Sequence, residues 1–573
     1  MTDAPDGVDP VTLEVVRNAA ESVADEMNAT LVRTAYSPNV KERRDCSCAL
    51  FDAAGRMVAQ AENIPVHLGA MPFSVTAALE RFPPAALEPG DAVLLNDPFA
   101  GGAHLPDLTL VTPVFADSDD PVAFVANRAH HADVGGARAG GVAADSTEIF
   151  QEGLRIPPVK LFGGGEPNEA VFDLLLANVR TPEERRGDLR AQRAANETGR
   201  RRYQSLVERH GRDHLATVLD ALQDYSERRM RAALADVPDG SYRFADVLDD
   251  DGRGTEDLPV VATVTVEGEA VTVDFEGTAP QTAGPVNAVR AVTVSATYYA
   301  VRCVTDPEIP PNAGCYRPVT VQTPAGSIVD PEPPAAVVAG NLETSQRVTD
   351  AVLGAFAEAD PTRAVAAGQG TMNSVTFGGT DPRTDGPFTF YETQGGGFGG
   401  RAGADGMDGV HVHMSNTLNT PVEVLETAYP LRVRRYQLRE DTGGAGEFRG
   451  GLGLRRDVEV TTEAEFSLVA DRHRHAPYGV RGGEPGARGG AYRLSDADES
   501  DETATQLPGK TTGALSPGEV LSIRTPGGGG YGDPAARDPA AVARDLRLEK
   551  VSGDHAREAY GYDPDDGTGE ERD

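Results

Sequence analysis

Glycine is gathered into dense clusters that fall within one part of this chain: "GGGFGG" (395–400), "GGAGEFRGGLG" (443–453) and "TPGGGGYGDP" (525–534). Lacking a Cβ, glycine reaches backbone conformations closed to other residues and gives a regular element little support. The chain beyond about residue 360 therefore reads as β-prone, with the clusters as tight turns between strands. "GGGFGG" formally matches GxGxxG at Gly395, Gly397 and Gly400. No clear helix follows it and no acidic ribose partner is evident, so the match does not support dinucleotide binding. Neither GxxxxGK[ST] nor GxSxG occurs in the 573 residues.

The rest of the chain is patterned differently. Residues 9–36 predict a long helix: Asp9 can cap it, Pro10 fits its first turn, and Leu13, Val16, Ala20, Val23, Met27 and Leu31 recur at helical steps. Strands are expected at "CSCALFDA", "GRMVAQAE", "AVLLN", "LTLVTPVF" and "PVAFVANRA", and helices over 168–180 and 182–235. A second unit starts near Pro238 with three strand-like segments, and "PVNAVRAVTVSATYYAVRCV" reads as a buried helix. Proline-rich "DPEPPAA" (330–336) marks the next boundary. A helix with Asn341 or Thr344 as its cap follows. Residues 494–505 read as a solvated loop, and a short helix closes the tail.

The fold class expected is mixed α/β (α+β) and multi-domain, with a glycine-rich, β-prone C-terminal half. The divisions are an N-terminal α/β unit (1–235), a β-rich middle unit ending in a buried helix (236–335) and a glycine-rich α+β unit (336–573).

Acidic residues number 89 and basic ones 53, a net charge of -36. That balance argues against nucleic acid or an anionic membrane as partner, because phosphates need clustered positive charge. A folded, lysine-poor, acidic chain reads as adaptation to a cytosol with molar salt. No apolar run approaches a membrane span, and "MTDAPDGVDPVTLEVV" has no secretory pattern. Cys46, Cys48, Cys303 and Cys315 form no CxxC pair, which suits a reducing cytoplasm.

Metal-ligand chemistry gathers in the first third. Asp45, Asp97, His104, Asp107, His130, His131 and Asp133 all stand at expected strand ends or turns. Pro106 makes His104–Asp107 a rigid turn that could aim both side chains at one point. His130 and His131 end a strand, where neighbouring side chains face opposite ways. Only one of them is expected to be a ligand. A rival HxH pair, His411 and His413, has no matching ligands downstream, and a structural or substrate-contacting role is expected for it.

These segments resemble the hydantoinase B/oxoprolinase family. The resemblance is carried by "TAYSPNVKERRDCSCALFD", "NIPVHLGAMP", "LLNDPFAGGAHLPDLTLVTPVF", "NRAHHADVGG", "STEIFQEGLRIPPVKL", "NTPVEVLETAYPLRV" and the glycine clusters. It spans about residues 8 to 562. It implies the hydrolytic, ring-opening subunit of an ATP-dependent cyclic amidase acting on hydantoin-, N-methylhydantoin- or 5-oxoproline-like lactams. The partner implied is a larger hydantoinase A-type ATPase subunit, which binds the ATP and activates the substrate for attack by a metal-activated water. The hetero-oligomer implied is cytoplasmic.

The ligands implied for a divalent metal ion (Mn, Zn, Fe or Mg) are Asp45, His104, Asp107 and one of His130 and His131, His130 being favoured. Asp133 or Glu152 would accept a proton or orient a ligand. Arg44, together with Arg43, would meet a phosphorylated intermediate, and His411 and His413 would meet substrate. An acetone-carboxylase-type subunit and a non-catalytic scaffold for the ATPase are the alternative readings.

Overall fold

The computed structural model describes residues 8–61, 63–496 and 504–564. It is a mixed α/β structure built on four sheets. The first sheet comes from seven strands: β1 (Cys46–Asp52), β2 (Met57–Gln60), β3 (Ala92–Leu95), β4 (Asp107–Val114), β5 (Ala123–His130), β6 (Val159–Gly163) and β7 (Glu166–Pro167). Their order is β2-β1-β5-β4-β3-β6-β7. The central strands β1, β4 and β5 are buried along their whole length because helices cover both faces. Cys48 and Leu50 pack with Val16, Val23 and Met27 of helix Pro10–Thr34. The alternate residues Ala49 and Phe51 pack with Met71 and Val75 of helix Pro65–Arg81.

The long helical stretch expected over 182–235 is two helices, Pro182–His210 and Arg212–Ala235, separated at Gly211 with φ 78°. A four-stranded sheet follows, from β8 (Gly240–Asp250), β9 (Glu256–Glu267), β10 (Ala270–Asp274) and β11 (Val319–Gln322). β10 and β11 run parallel, which requires a crossover, and helix Arg290–Val304 lies on it. The buried helix is thus followed by one more strand of the same sheet. One apolar cluster takes in Leu94 and Leu110, Val264 and Val292, and Val352 and Met372.

The helix expected from residue 341 starts with a π-turn, Gly340–Thr344, and becomes α-helical at Ser345–Ala359. Thr344 stands at the N-cap position of Ser345–Ala359, but its hydroxyl donates to Val286 O instead of capping, and Asn341 turns toward His104.

The C-terminal part holds two sheets around Phe377, Phe390, Phe466, Val458 and Leu521. Two of the glycine clusters are not the tight turns expected, whereas 443–453 does bend at Gly443 and Gly446. None of the glycines in 395–400 or 527–530 has a positive φ. They run as extended segments stacked at backbone contact, where Gly451 N–H donates to Phe398 O, Gly528 N–H to Gly451 O and Gly444 N–H to Gly528 O. A Cβ on Gly397 would lie 2.1 Å from Gly451 O. Close approach of backbones, rather than turn geometry, is what demands glycine here.

Among the described residues no helix is long and apolar enough to cross a membrane, and the four cysteines are free thiols. Of the loop expected over 494–505, residues 497–503 lie outside the described residues.

Candidate metal centre

The turn before β4 and the end of β5 bring three buried side chains to one point. Asp107 N–H donates to His104 O at 3.1 Å, which closes the His104–Asp107 turn around Pro106. Asp107 and His130 then face each other as partners across the antiparallel pair of β4 and β5. His130 is held from both sides: its N–H donates to Asp45 O at 3.0 Å, and its carbonyl accepts from Asn39 Nδ2 at 2.6 Å.

His104 Nε2 lies 3.0 Å and His130 Nδ1 3.1 Å from Asp107 Oδ1. The two ring nitrogens are 3.2 Å apart. Among the described residues, His104, Asp107 and His130 form a group whose donor atoms all lie within 4.8 Å of one another.

The surroundings fit a cation. Among the described residues, Asp107 Oδ2, His130 Nε2 and the nearby Asn341 Oδ1 are buried without a hydrogen-bond partner, a costly arrangement in a protein interior. His104 Nδ1 lies 3.3 Å from Val338 O, a carbonyl that can only accept. Nδ1 therefore carries a proton, and Nε2 is the nitrogen that faces Asp107 and His130. Tyr391 stacks on the His130 ring, with centroids 4.4 Å apart.

Charge is redistributed accordingly. Burial opposes ionisation of Asp107, but His104 and His67 beside it hold its carboxyl well below the usual range. Burial also pulls His104 down, yet Asp107 outweighs it and the pKa rises. For His130 burial wins over Asp45 and Asp107, and the pKa falls. Two imidazoles, which bind a cation in their neutral form, and a carboxylate make a mixed N,O donor set suited to Zn, Mn or Fe(II).

The other residues singled out in the sequence are placed as follows. Asp45 is buried at the margin, with Oδ1 3.9 Å from His67 Nε2 and Oδ2 4.0 Å from Arg43 Nη1. Arg43 itself is fully buried and donates to Tyr391 O, Thr393 Oγ1 and Thr417 Oγ1, so it serves the packing of this region. Arg44 is exposed, with φ 56°.

His131 points away from the group, its Nε2 3.0 Å from Gln192 Oε1 on helix Pro182–His210. Burial and Arg185 lower its pKa to about 4. Asp133 is also apart, paired with Arg180 Nη1 at 2.8 Å and accepting Arg180 N–H at 2.7 Å. Asp97 caps the short turn Pro98–Ala100 and pairs with Arg155 at 2.7 Å.

Glu152 lies one peptide behind the group. It accepts Val337 N–H and Val338 N–H, and burial pushes its carboxyl up to about 7. His411 lies 3.0 Å from Ser415 Oγ and 3.3 Å from Thr417 Oγ1, while His413 Nε2 lies 3.3 Å from Asp350 Oδ1. His411 and His413 therefore have separate partners and form no HxH site.

Sequence reasoning did not single out His67 or Tyr391, and it read Asn341 only as a helix cap. His67 Nε2 is 3.2 Å from Asp107 Oδ2, and Asn341 Nδ2 is 3.3 Å from His104 Nε2. The signal for His67 was its place in "NIPVHLGAMP", within a segment already notable but without any ligand spacing.

The sequence profile of hydantoinase B/oxoprolinase matches residues 9–534. The chain belongs to this family. An uncharacterized protein of Methanocaldococcus jannaschii is 40% identical, covering 95% of this chain and 94% of its own. A putative D-/L-hydantoinase subunit of a Pseudomonas species is 34% identical, covering 97% and 95%. The Arabidopsis thaliana 5-oxoprolinase 1 is 38% identical over 91% of this chain, which spans only 42% of that longer protein. Among solved structures, the ATP-dependent caprolactamase of Pseudomonas jessenii matches with a TM-score of 0.90 at 33% identity, covering 99% of this chain and 98% of its own. An acetone carboxylase matches with a TM-score of 0.87 over 96% and 79% of the chains; at 19% identity it speaks for the fold alone.

Proposed function

We propose that this chain is the ring-opening subunit of an ATP-dependent cyclic amidase, acting on lactams of the hydantoin, 5-oxoproline or caprolactam kind. The observation that carries this reading is the convergence of His104, Asp107 and His130 on one buried point. The relatives supply the reaction class: by name they are a 5-oxoprolinase, a hydantoinase subunit and an ATP-dependent caprolactamase. A second, ATPase-type part is supported by one relative's being named as a single subunit of a hydantoinase and by the greater length of another.

His104, Asp107 and His130 would hold a divalent ion, with Asp45 beside them. Such an ion supplies the positive charge that polarises a ring carbonyl and acidifies water. The chain's own residues prepare that chemistry. Asp107 stays ionised and keeps its negative charge at the point where the two imidazoles meet. Val338 O accepts from His104 Nδ1, and Glu152 holds the same residue by accepting its N–H. Glu152 thus takes the orienting role among the two carboxylates considered, and Asp133 holds Arg180.

The test is metal analysis of the chain purified with its ATPase partner, beside an ATP-dependent ring-opening assay on N-methylhydantoin, 5-oxoproline and caprolactam. Near-stoichiometric metal in the wild type, lost with activity in His104→Ala and His130→Ala, is the expected result. Full activity in both variants would overturn the reading.

A further inference from the structure

We infer that His67 is a positioning residue: it holds the outer oxygen of Asp107 so that the inner oxygen stays turned to His104 and His130. The inference rests on the proposed reading of those three residues as metal ligands.

Asp107 presents its two oxygens to two different places. Oδ1 meets His104 Nε2 and His130 Nδ1, whereas Oδ2 lies 3.2 Å from His67 Nε2. Among the described residues, Oδ2 has no hydrogen-bond partner, and His67 Nε2 is the nitrogen within ion-pair distance of it. His67 stays outside the group whose donor atoms share one 4.8 Å neighbourhood, so it is placed to steer the carboxylate rather than to join the ligands. Its ring is 2% exposed, which leaves no role in contact with solvent.

The proton position follows from the neighbours. A carboxylate oxygen can only accept, so a hydrogen on His67 Nε2 would face Asp107 and leave Nδ1 toward Ser47. Ser47 Oγ lies 3.4 Å from Nδ1 and itself accepts Ile64 N–H at 3.4 Å. Ile64 N–H and Ser47 thus place the His67 ring from one side, and its Nε2 lies 3.2 Å from Asp107 Oδ2 on the other.

The helix that carries His67 is fixed in place. Ser295 Oγ donates to Pro65 O at 3.0 Å in its first turn. A Cβ on Gly69 would lie 2.6 Å from Ser295 Cα, so helix Pro65–Arg81 sits at backbone contact with helix Arg290–Val304 one turn in from its start. A side chain held this way can define the angle of a ligand carboxylate, and loss of such outer partners weakens metal binding by about 10–100-fold.

The experiment measures Zn and Co(II) affinity, together with the visible spectrum of the Co(II) form, for full-length wild type, His67→Ala, His67→Gln, Ser47→Ala and His104→Ala. The glutamine amide can donate near the same point, so His67→Gln should stay within a few-fold of wild type with an unchanged Co(II) spectrum. His67→Ala should lose about 10–100-fold, and Ser47→Ala should fall between. Wild-type affinity in His67→Ala would overturn the inference. So would loss in His67→Gln as deep as in His67→Ala with an altered spectrum, because His67 would then be a ligand. His104→Ala separates the two claims: if it too keeps wild-type affinity, the metal reading itself fails.

Discussion

His130 and His131 are neighbours in sequence, yet their rings serve opposite sides of the sheet: His130 Nδ1 lies 3.1 Å from Asp107 Oδ1, and His131 Nε2 lies 3.0 Å from Gln192 Oε1. The pleat of β5 separates them, because successive side chains on a strand leave by opposite faces. His130→Ala should therefore abolish metal binding. His131→Ala should leave the metal in place and cost about 1–3 kcal/mol by stranding Gln192. Metal content and urea denaturation of the two variants check both halves.

A buried ionic network ties distant parts of the chain. Arg347 Nη2 lies 2.8 Å from Asp471 Oδ1, and Lys510 Nζ lies 2.7 Å from Asp471 Oδ2, all fully buried. Removing the shared carboxylate leaves two buried cations short of a partner. Asp471→Ala should destabilise by about 3–5 kcal/mol, measured as a shift in urea midpoint with unchanged slope. A change within experimental error would mean that water replaces the carboxylate.

The stacked glycines give a sharp contrast between positions. A Cβ on Gly528 would lie 2.1 Å from Phe398 O, whereas one on Gly163 meets nothing within 4 Å. Gly528→Ala must push backbone aside and should yield little folded protein. Gly163→Ala should change stability by no more than about 1 kcal/mol. Soluble yield and thermal melting compare the two.

Glu343 supplies a pH dependence with a definite sign. It is fully buried, and burial together with Asp471 pushes its carboxyl up to about 8, against the pull of Lys510. Between its ordinary value and about 8 the folded chain holds a proton that the unfolded chain releases. This group therefore lowers stability as pH rises through that window, by up to about 1.4 kcal/mol per pH unit. Glu343→Gln keeps the neutral form and should flatten the decline between pH 5 and 8 by about that much. Melting temperatures of wild type and variant across that window test it; parallel profiles would show that Glu343 is ionised when folded.

Local pattern made much of this architecture readable. The spacing of Leu13 through Leu31 marks a helix, and Pro10–Thr34 is helical; the strand segments around Cys48, Leu94, Leu110 and Val125 are strands. Two of the glycine clusters misled because composition reports freedom of the backbone without saying what uses it. Gly397 and Gly528 are needed for contact between segments brought together from far apart. Asn341 misled in the same way: it has the chemistry of a cap, but a π-turn carries its side chain to His104.

The classes of element, the turn that joins His104 to Asp107, and the opposed facing of His130 and His131 are legible along the chain, since each depends on neighbours in sequence. Only the tertiary structure decided which face of β5 meets Asp107, that Asp133 belongs to Arg180, and that His67 arrives from a separate helix. Those outcomes depend on strand register and helix packing. Both are set by the burial of apolar side chains remote in sequence, and no local spacing records them.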